Sequence, residues 1–484
     1  MDEIQTTSTT AAGPGVELDH RSIGLGHVIF FVVAAAAPLT AVVGASPAAF
    51  AFGNGAGVPG AFVLAGLLYL LFSAGFTAMS HHVGGAGGFY VYLAQGIGRP
   101  FGAAGALMML VTYNAAQFAI YAIFGVFFSA AVASFGLVLP WWICTFGAIV
   151  AVLLCGRRSI AFSGNLLGLC MIGEVLILLL LDLAIVVHGG GPEGLSLSTF
   201  SIANTFAPGL GAALVFVVGS FTGFEATVIF SEEARDPRRT IPRATYAAVI
   251  LITSFYAFST WAIAQYYGPS HIHAAAAGNI SGLFFDAARA LLGGWAVAIM
   301  RTLLVVSLFA CVLSLHNAIN RYLFAMGRDR TAPSVCAKLH PRHRSPYVAG
   351  QIQALISIVV LGALAALRLD PYGVIFSWLS VIGVLGILMV QLMVCIAVLL
   401  FFRQRPHGEP FWRTTLCPAL AFLGLSMLIY LVIRNMPLLA GADNALLQAF
   451  PWMMMAVGCA GIGQALWLRR RHPDIYLRLG RNFD

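Results

Sequence analysis

Residues 216–244 read FVVGSFTGFEATVIFSEEARDPRRTIPRA, an apolar run interrupted at its centre and closed by a burst of charge. Hydrocarbon offers no water to exposed backbone. Irregular chain therefore survives at membrane depth only where it faces protein or a water-filled cavity. Gly219, Ser220, Thr222 and Gly223 crowd the middle of the run, and a helix is expected to break there. Glu225 follows at a depth where an ionised carboxylate is expensive and, by default, marks function. Glu232, Glu233, Arg235, Asp236, Arg238, Arg239 and Arg243 then mark the exit into water. The remaining chain reads as a frame around this break.

Composition sets the class. The 484 residues are 60% hydrophobic and only 9% charged, far from the roughly 25% charge of soluble domains. Apolar runs long enough to cross a bilayer recur along the chain, which excludes a soluble domain and predicts an all-α integral membrane protein. Twelve spans are expected, over residues 24–52, 59–80, 101–128, 140–155, 160–187, 208–230, 244–266, 295–326, 348–367, 372–402, 416–433 and 446–468. Of the 26 Lys and Arg, only Arg289, Arg301, Arg368 and Arg434 fall on one side of these spans. The other 22 gather on the opposite side, so both termini are expected in the cytoplasm by the positive-inside rule. That distribution also removes nucleic acid as a reason for the net charge of +8. Eight cysteines without CxxC spacing read as buried thiols, with no metal site and no cofactor expected. Residues 1–20 carry acids and no basic start, and read as a disordered cytoplasmic tail.

Pro38 lies inside the first run, in AAAAPLT. Proline lacks an N–H and clashes with the preceding turn, so this helix kinks or breaks; a break would free backbone groups of Ala36, Ala37, Leu39 and Thr40. Pro38 and Phe221 are 183 residues apart, an interval of five spans. Five is odd, so equivalent helices would cross in opposite senses, as in an inverted repeat of spans 1–5 against 6–10 with discontinuous helices 1 and 6. The corresponding divisions are 21–189 for the first repeat, 190–205 for an outer loop, 206–402 for the second repeat and 403–484 for the last two spans and a basic tail. Two segments are too short to cross: the Gly-rich stretch before span three and LFFDAARALLGGW, whose Phe284, Ala287 and Leu291 share one face. Deep polar residues include Asn114, Gln117 and Tyr121 on one face of span three, Glu174 and Asp182 in span five, and His316 in span eight. Interhelical hydrogen bonding and a substrate path explain Asn114, Gln117 and Tyr121 equally well. Asp182 is expected near the outer interface, and Glu174 deep enough to need a partner or a proton.

GFE followed by EEARDPRRTIPRA, GGAGGFYVYLAQGIGRPFG (residues 84–102) and HNAINRYLFAMGRDRTAP (residues 316–333) together resemble the amino acid–polyamine–organocation permeases, in their bacterial amino acid form. The resemblance implies a five-plus-five inverted-repeat fold in the cytoplasmic membrane. It also implies a midplane site between broken helices 1 and 6, flanked by spans three, eight and ten. Two positions depart from that family's pattern. AAAAPLT stands where a Gly-Ser-Gly break is common, and Asn165 stands where some proton-coupled relatives carry a lysine. Asn165 cannot titrate or supply positive charge, which leaves three couplings open: sodium, a proton on Glu225 with or without His316, or uncoupled exchange.

The expected function is alternating-access transport of amino acids, proton-coupled. In this reading the substrate carboxylate meets amides freed at Ala36, Ala37, Pro38, Leu39 and Thr40, favoured by the positive end of a half-helix. Carbonyls of Gly219, Ser220, Phe221, Thr222 and Gly223 hold the amine, Phe221 gates the site and Gln117 touches the ligand. A carboxyl withdrawn from water favours its proton, so a modest change of access at Glu225 loads or unloads one. Against these stand ordinary packing for Phe221, a structural hydrogen-bonded Glu225, and a satisfied buried His316. Alternative functions are a polyamine or organocation carrier, a substrate exchanger and a non-transporting sensor of the same fold. A channel would need a repeated filter, and an enzyme a clustered nucleophile–base set; the sequence has neither. The expected topology is testable by labelling. In a background without native cysteine, single cysteines at Ser231 and Thr331 should react only from the cytoplasmic side, and one at Ser198 only from outside.

Overall fold

The structure is a computed structural model that describes residues 37–83, 88–157, 164–225, 227, 236–328, 330, 332–341, 345–405, 408–440 and 445–479. The expected N-terminal tail, the first half of span one, Ala36, Glu232, Glu233 and the labelling positions Ser231 and Thr331 lie outside them.

Every regular element described is helical. We name them α1 (Thr40–Phe52), α2 (Val58–Ser80), α3 (Gly88–Gly96), α4 (Arg99–Ala133), α5 (Trp141–Arg157), α6 (Gly164–Val187), α7 (Leu210–Gly219), α8 (Pro237–Tyr267), α9 (Leu283–Leu291), α10 (Gly294–Arg328), α11 (Tyr347–Ala366), α12 (Pro371–Gln404), α13 (Cys417–Ala440) and α14 (Phe450–Arg471). Among the described residues, nine helices are long and apolar enough to cross a membrane, and α1, α5 and α7 are shorter apolar helices. The two segments expected not to cross are indeed short helices, α3 and α9. Phe284 and Ala287 of α9 face the protein, as their spacing predicts.

The 35-residue α4 is the central pillar, contacting α3, α5, α10, α12 and α14. Lipid tails are as apolar as leucine, so helices in a bilayer associate through close packing and hydrogen bonds, and small residues mark the contacts. At Gly66 of α2 and Gly211 of α7 this is literal. A methyl at Gly66 would overlap the Thr253 side chain of α8, and one at Gly211 would overlap the Leu431 carbonyl oxygen of α13.

Three polar ties complete the frame. Glu409 accepts from Arg413 at 2.8 Å and pairs with His81 at 2.8 Å, joining the α12–α13 loop to the end of α2. On the other side Ser270 donates its hydroxyl and amide to Glu193, which with His271 holds that carboxyl below its usual range. Ser259 of α8 donates to Asp182 of α6 at 2.6 Å. Asp182 is wholly buried within the protein, one turn and a half before the end of α6.

Because α7 depends on the Gly211 contact, Gly211→Ala should destabilise the protein by about 1–3 kcal/mol, the usual cost of overpacking. Gly463→Ala, with nothing within 4 Å of the added methyl, should leave the melting temperature in detergent unchanged.

Candidate functional site

The described backbone departs from helix at both places where a break is expected. Ala37 has φ 46°, a left-handed conformation that costs an alanine about 1 kcal/mol or more. Ala41 N–H bonds to the Ala37 carbonyl at 3.0 Å, so the helix starts at Pro38. Proline suits a first helical position, where its missing N–H would have had no partner. At the second break α7 stops at Gly219, and Gly223, at φ 115°, takes a conformation only glycine adopts easily. Ser220 then turns its hydroxyl back to the Phe216 carbonyl at 2.8 Å.

Each break presents an unused amide, and each amide is met by a buried carboxyl. Gly223 N–H donates to Glu225 at 2.9 Å, and the Tyr113 hydroxyl donates to the other oxygen of that carboxyl at 3.2 Å. Leu39 N–H donates to Glu174 at 3.2 Å, and the Ser307 hydroxyl donates to the same Glu174 oxygen at 2.9 Å. A helix N-terminus favours negative charge, which accounts for an acid at the start of α1.

Between the breaks lies a cavity of about 170 Å³. Thr40, Ala41 and Ala45 of α1 line it, with Thr112, Tyr113 and Ala116 of α4, and Cys311 and Ser314 of α10. Phe216, Gly219, Ser220, Thr222, Gly223 and Glu225 form the second-break wall. Phe376 of α12 closes it, stacked on Phe216 at 5.6 Å and 28°. Tyr372 fixes this end of α12 by donating to the Gly44 carbonyl at 2.6 Å. The walls are mostly apolar, with hydroxyls and one carboxyl at defined points. A larger groove of about 550 Å³ between α4, α5 and α10 is lined by apolar side chains and two cysteines, and lacks such convergence.

Several expected site residues take other positions. Phe221 is fully buried and points away from the cavity, packing on Tyr69 at 5.0 Å and Phe62 at 6.4 Å of α2. Phe224 packs on the same surface, 4.9 Å from Tyr69. Gln117 also leaves the cavity: it donates to the Val312 carbonyl at 3.0 Å and accepts from Gln353 of α11. Pro38 faces Glu174 and Leu39 has given it its amide, so Thr40 is the first residue of that break to face the cavity. His316 lies between α5 and α11, where methyls at Gly156 and Gly350 would come within 3.1 and 3.4 Å of its Nε2. It does not join Glu225. Asn165 belongs to α6, and its side chain lies outside the described residues. Among the described residues no group of three metal-ligating side chains is found. Tyr113, Thr112, Phe216 and Phe376 are the contributors that sequence spacing did not single out.

The amino acid permease family profile matches residues 27–473 of this chain. A transporter of Mycobacterium tuberculosis, described as uncharacterized, is 33% identical over 155 residues. That alignment spans about a third of each protein, 32% of this chain and 33% of the relative. The low-affinity putrescine importer of Escherichia coli is 25% identical over 65% of this chain and 67% of its own length. A serine/threonine exchanger of Bacillus subtilis is 23% identical over 72% of this chain and 76% of its own length.

A position in the cavity wall and a polar residue outside it predict different mutant behaviour. Gly383 of α12 also lines the cavity, so Gly383→Leu should abolish the thermal shift produced by any small molecule that stabilises the wild type. Gln117→Leu, which strands Gln353 and the Val312 carbonyl, should cost about 1–3 kcal/mol of stability and keep that shift.

Proposed function

The chain belongs to the amino acid permease family, and from that premise we propose that it is a secondary transporter of amino acids working by alternating access. The observation that carries this reading is a mostly apolar cavity between the start of α1 and the end of α7, with Glu225 in its wall. Among the described residues, nine long and three shorter apolar helices equal in number the twelve proposed spans, ten in a five-plus-five inverted repeat and two beyond it. Repeat boundaries at 21–189 and 206–402, and cytoplasmic termini, complete the proposal.

A small α-amino acid suits a cavity of about 170 Å³ with this lining. Its carboxylate would approach Thr40, at the positive end of α1, and its ammonium the negative end of α7 beside Glu225. Ser220 and Thr222 add hydroxyls near the ammonium. The weakly polar walls favour a neutral side chain. Putrescine lacks a carboxylate and would leave the α1 end unmatched. The importer relative still gives an amine carrier some support as the second reading.

Proton coupling through Glu225 is the favoured scheme. An ionised carboxylate cannot cheaply pass through a dry, occluded state, and protonation removes that cost. Tyr113 and the Gly223 amide hold the ionised form while the cavity is wet. In proteoliposomes without sodium, an inward proton gradient should drive accumulation of a labelled amino acid chosen by thermal-shift screening. Glu225→Gln should lower that accumulation at least ten-fold and retain exchange. Sodium-dependent uptake indifferent to pH would overturn proton coupling. Tight competition by putrescine with none from any amino acid would select the amine reading.

A further inference from the structure

Glu174 has no part in the mechanism above, yet it is one of the few carboxyls buried among the spanning helices. Its connections lead back to the cavity. Thr40, which lines that cavity, donates its hydroxyl to Ser307 Oγ at 3.1 Å, and Ser307 donates to Glu174 Oε2 at 2.9 Å. The same carboxyl oxygen takes the Leu39 amide at 3.2 Å. Behind it a void of about 10 Å³, the lower limit for one water, is bounded by Pro38, Cys170 and Ser307. Both hydroxyls are thus aligned in one direction, from the cavity toward the acid.

We propose that Glu174 is a second proton-binding site, loaded from the central cavity through the Thr40–Ser307 hydroxyl relay. A hydronium in the cavity gives a proton to Thr40 Oγ, Thr40 passes its own to Ser307 Oγ, and Ser307 passes its own to Glu174 Oε2. One proton moves from water to carboxylate, and both hydroxyls end neutral. The loaded carboxyl is then a weaker acceptor for Leu39, since hydrogen bonds to charged groups are about twice as strong as neutral ones. Proton binding therefore loosens the first turn of α1.

The ionisable groups that face Glu174 are few among the described residues. They are Tyr256 from α8, Cys311 from α10 and Cys170 on α6 itself. Residues 37–52 of the first break contribute none. No arginine, lysine or histidine is among these described neighbours, so none of them offsets the charge of the carboxyl.

The relay's part in transport rests on the proton-linked reading above; the protonation itself does not. The test is infrared difference spectroscopy of the purified full-length protein through a pH step, with no ligand added. Among the titrating carboxyl bands of the wild type, Glu174→Gln should remove one and Glu225→Gln a second, while neither removes that of Asp182, the third buried carboxyl among the described residues. Thr40→Val should keep the amplitude of the Glu174 band and slow its appearance at least ten-fold. Persistence of the Glu225 band reports that Glu174→Gln is folded; if it is not, Glu174→Asp should shift the band without removing it. Absence of any band assignable to Glu174, or a wild-type rate in Thr40→Val, overturns the proposal. Gradient-independent uptake with both bands still titrating would instead count against the transport reading alone.

Discussion

Everything at the centre of this protein follows from the cost of an unpaired backbone amide in a medium without water. One helix begins just after Ala37 and another ends at Gly219, and beside each end stands an N–H group that no i−4 carbonyl takes. The chain answers both with a glutamate: Glu174 for Leu39 and Glu225 for Gly223. Each glutamate in turn needs more than one donor, which Ser307 and Tyr113 supply. Break and acid are therefore one unit. Removing either carboxyl orphans an amide, and removing either break leaves a carboxyl with one donor fewer.

Small and large residues divide the remaining work. Glycines let α2 close on the Thr253 side chain of α8 and α7 on the backbone of α13, fixing where these helices lie. Aromatics fix how they are turned. Phe221 and Phe224 hold one side of the second break on α2, leaving Ser220, Thr222, Gly223 and Glu225 toward the cavity. Phe216 and Phe376 close the cavity from α7 and α12.

Much of this was legible in the sequence, and the failures share one cause. The second break was readable because glycines and hydroxyls interrupt an apolar run, and Glu225 because an acid at that depth needs a reason. Proline marked the place where the described helix starts, just after a left-handed Ala37. What spacing could not supply is the rotation of each helix about its own axis. Tyr113 and Asn114 are adjacent, yet only Tyr113 reaches Glu225, while Asn114 bonds to the Leu110 carbonyl of its own helix. Gln117 and Phe221 were assigned to the cavity and turn out to face α10–α11 and α2 respectively. Glu174 was seen to need a partner, but a partner 135 residues away at the start of another helix has no signature in local periodicity.

The anchoring of Phe221 and Phe224 has a mechanical consequence. Their rings are wedged among Phe62, Tyr69, Phe72 and Phe76, so the segment after α7 cannot swing without carrying α2 as a lever arm. α2 is packed against α8 with Gly66 at the contact, and the torque passes on to it. A shift of an ångström or so at the cavity wall would thus be carried along α2 and passed through the Gly66 contact to α8.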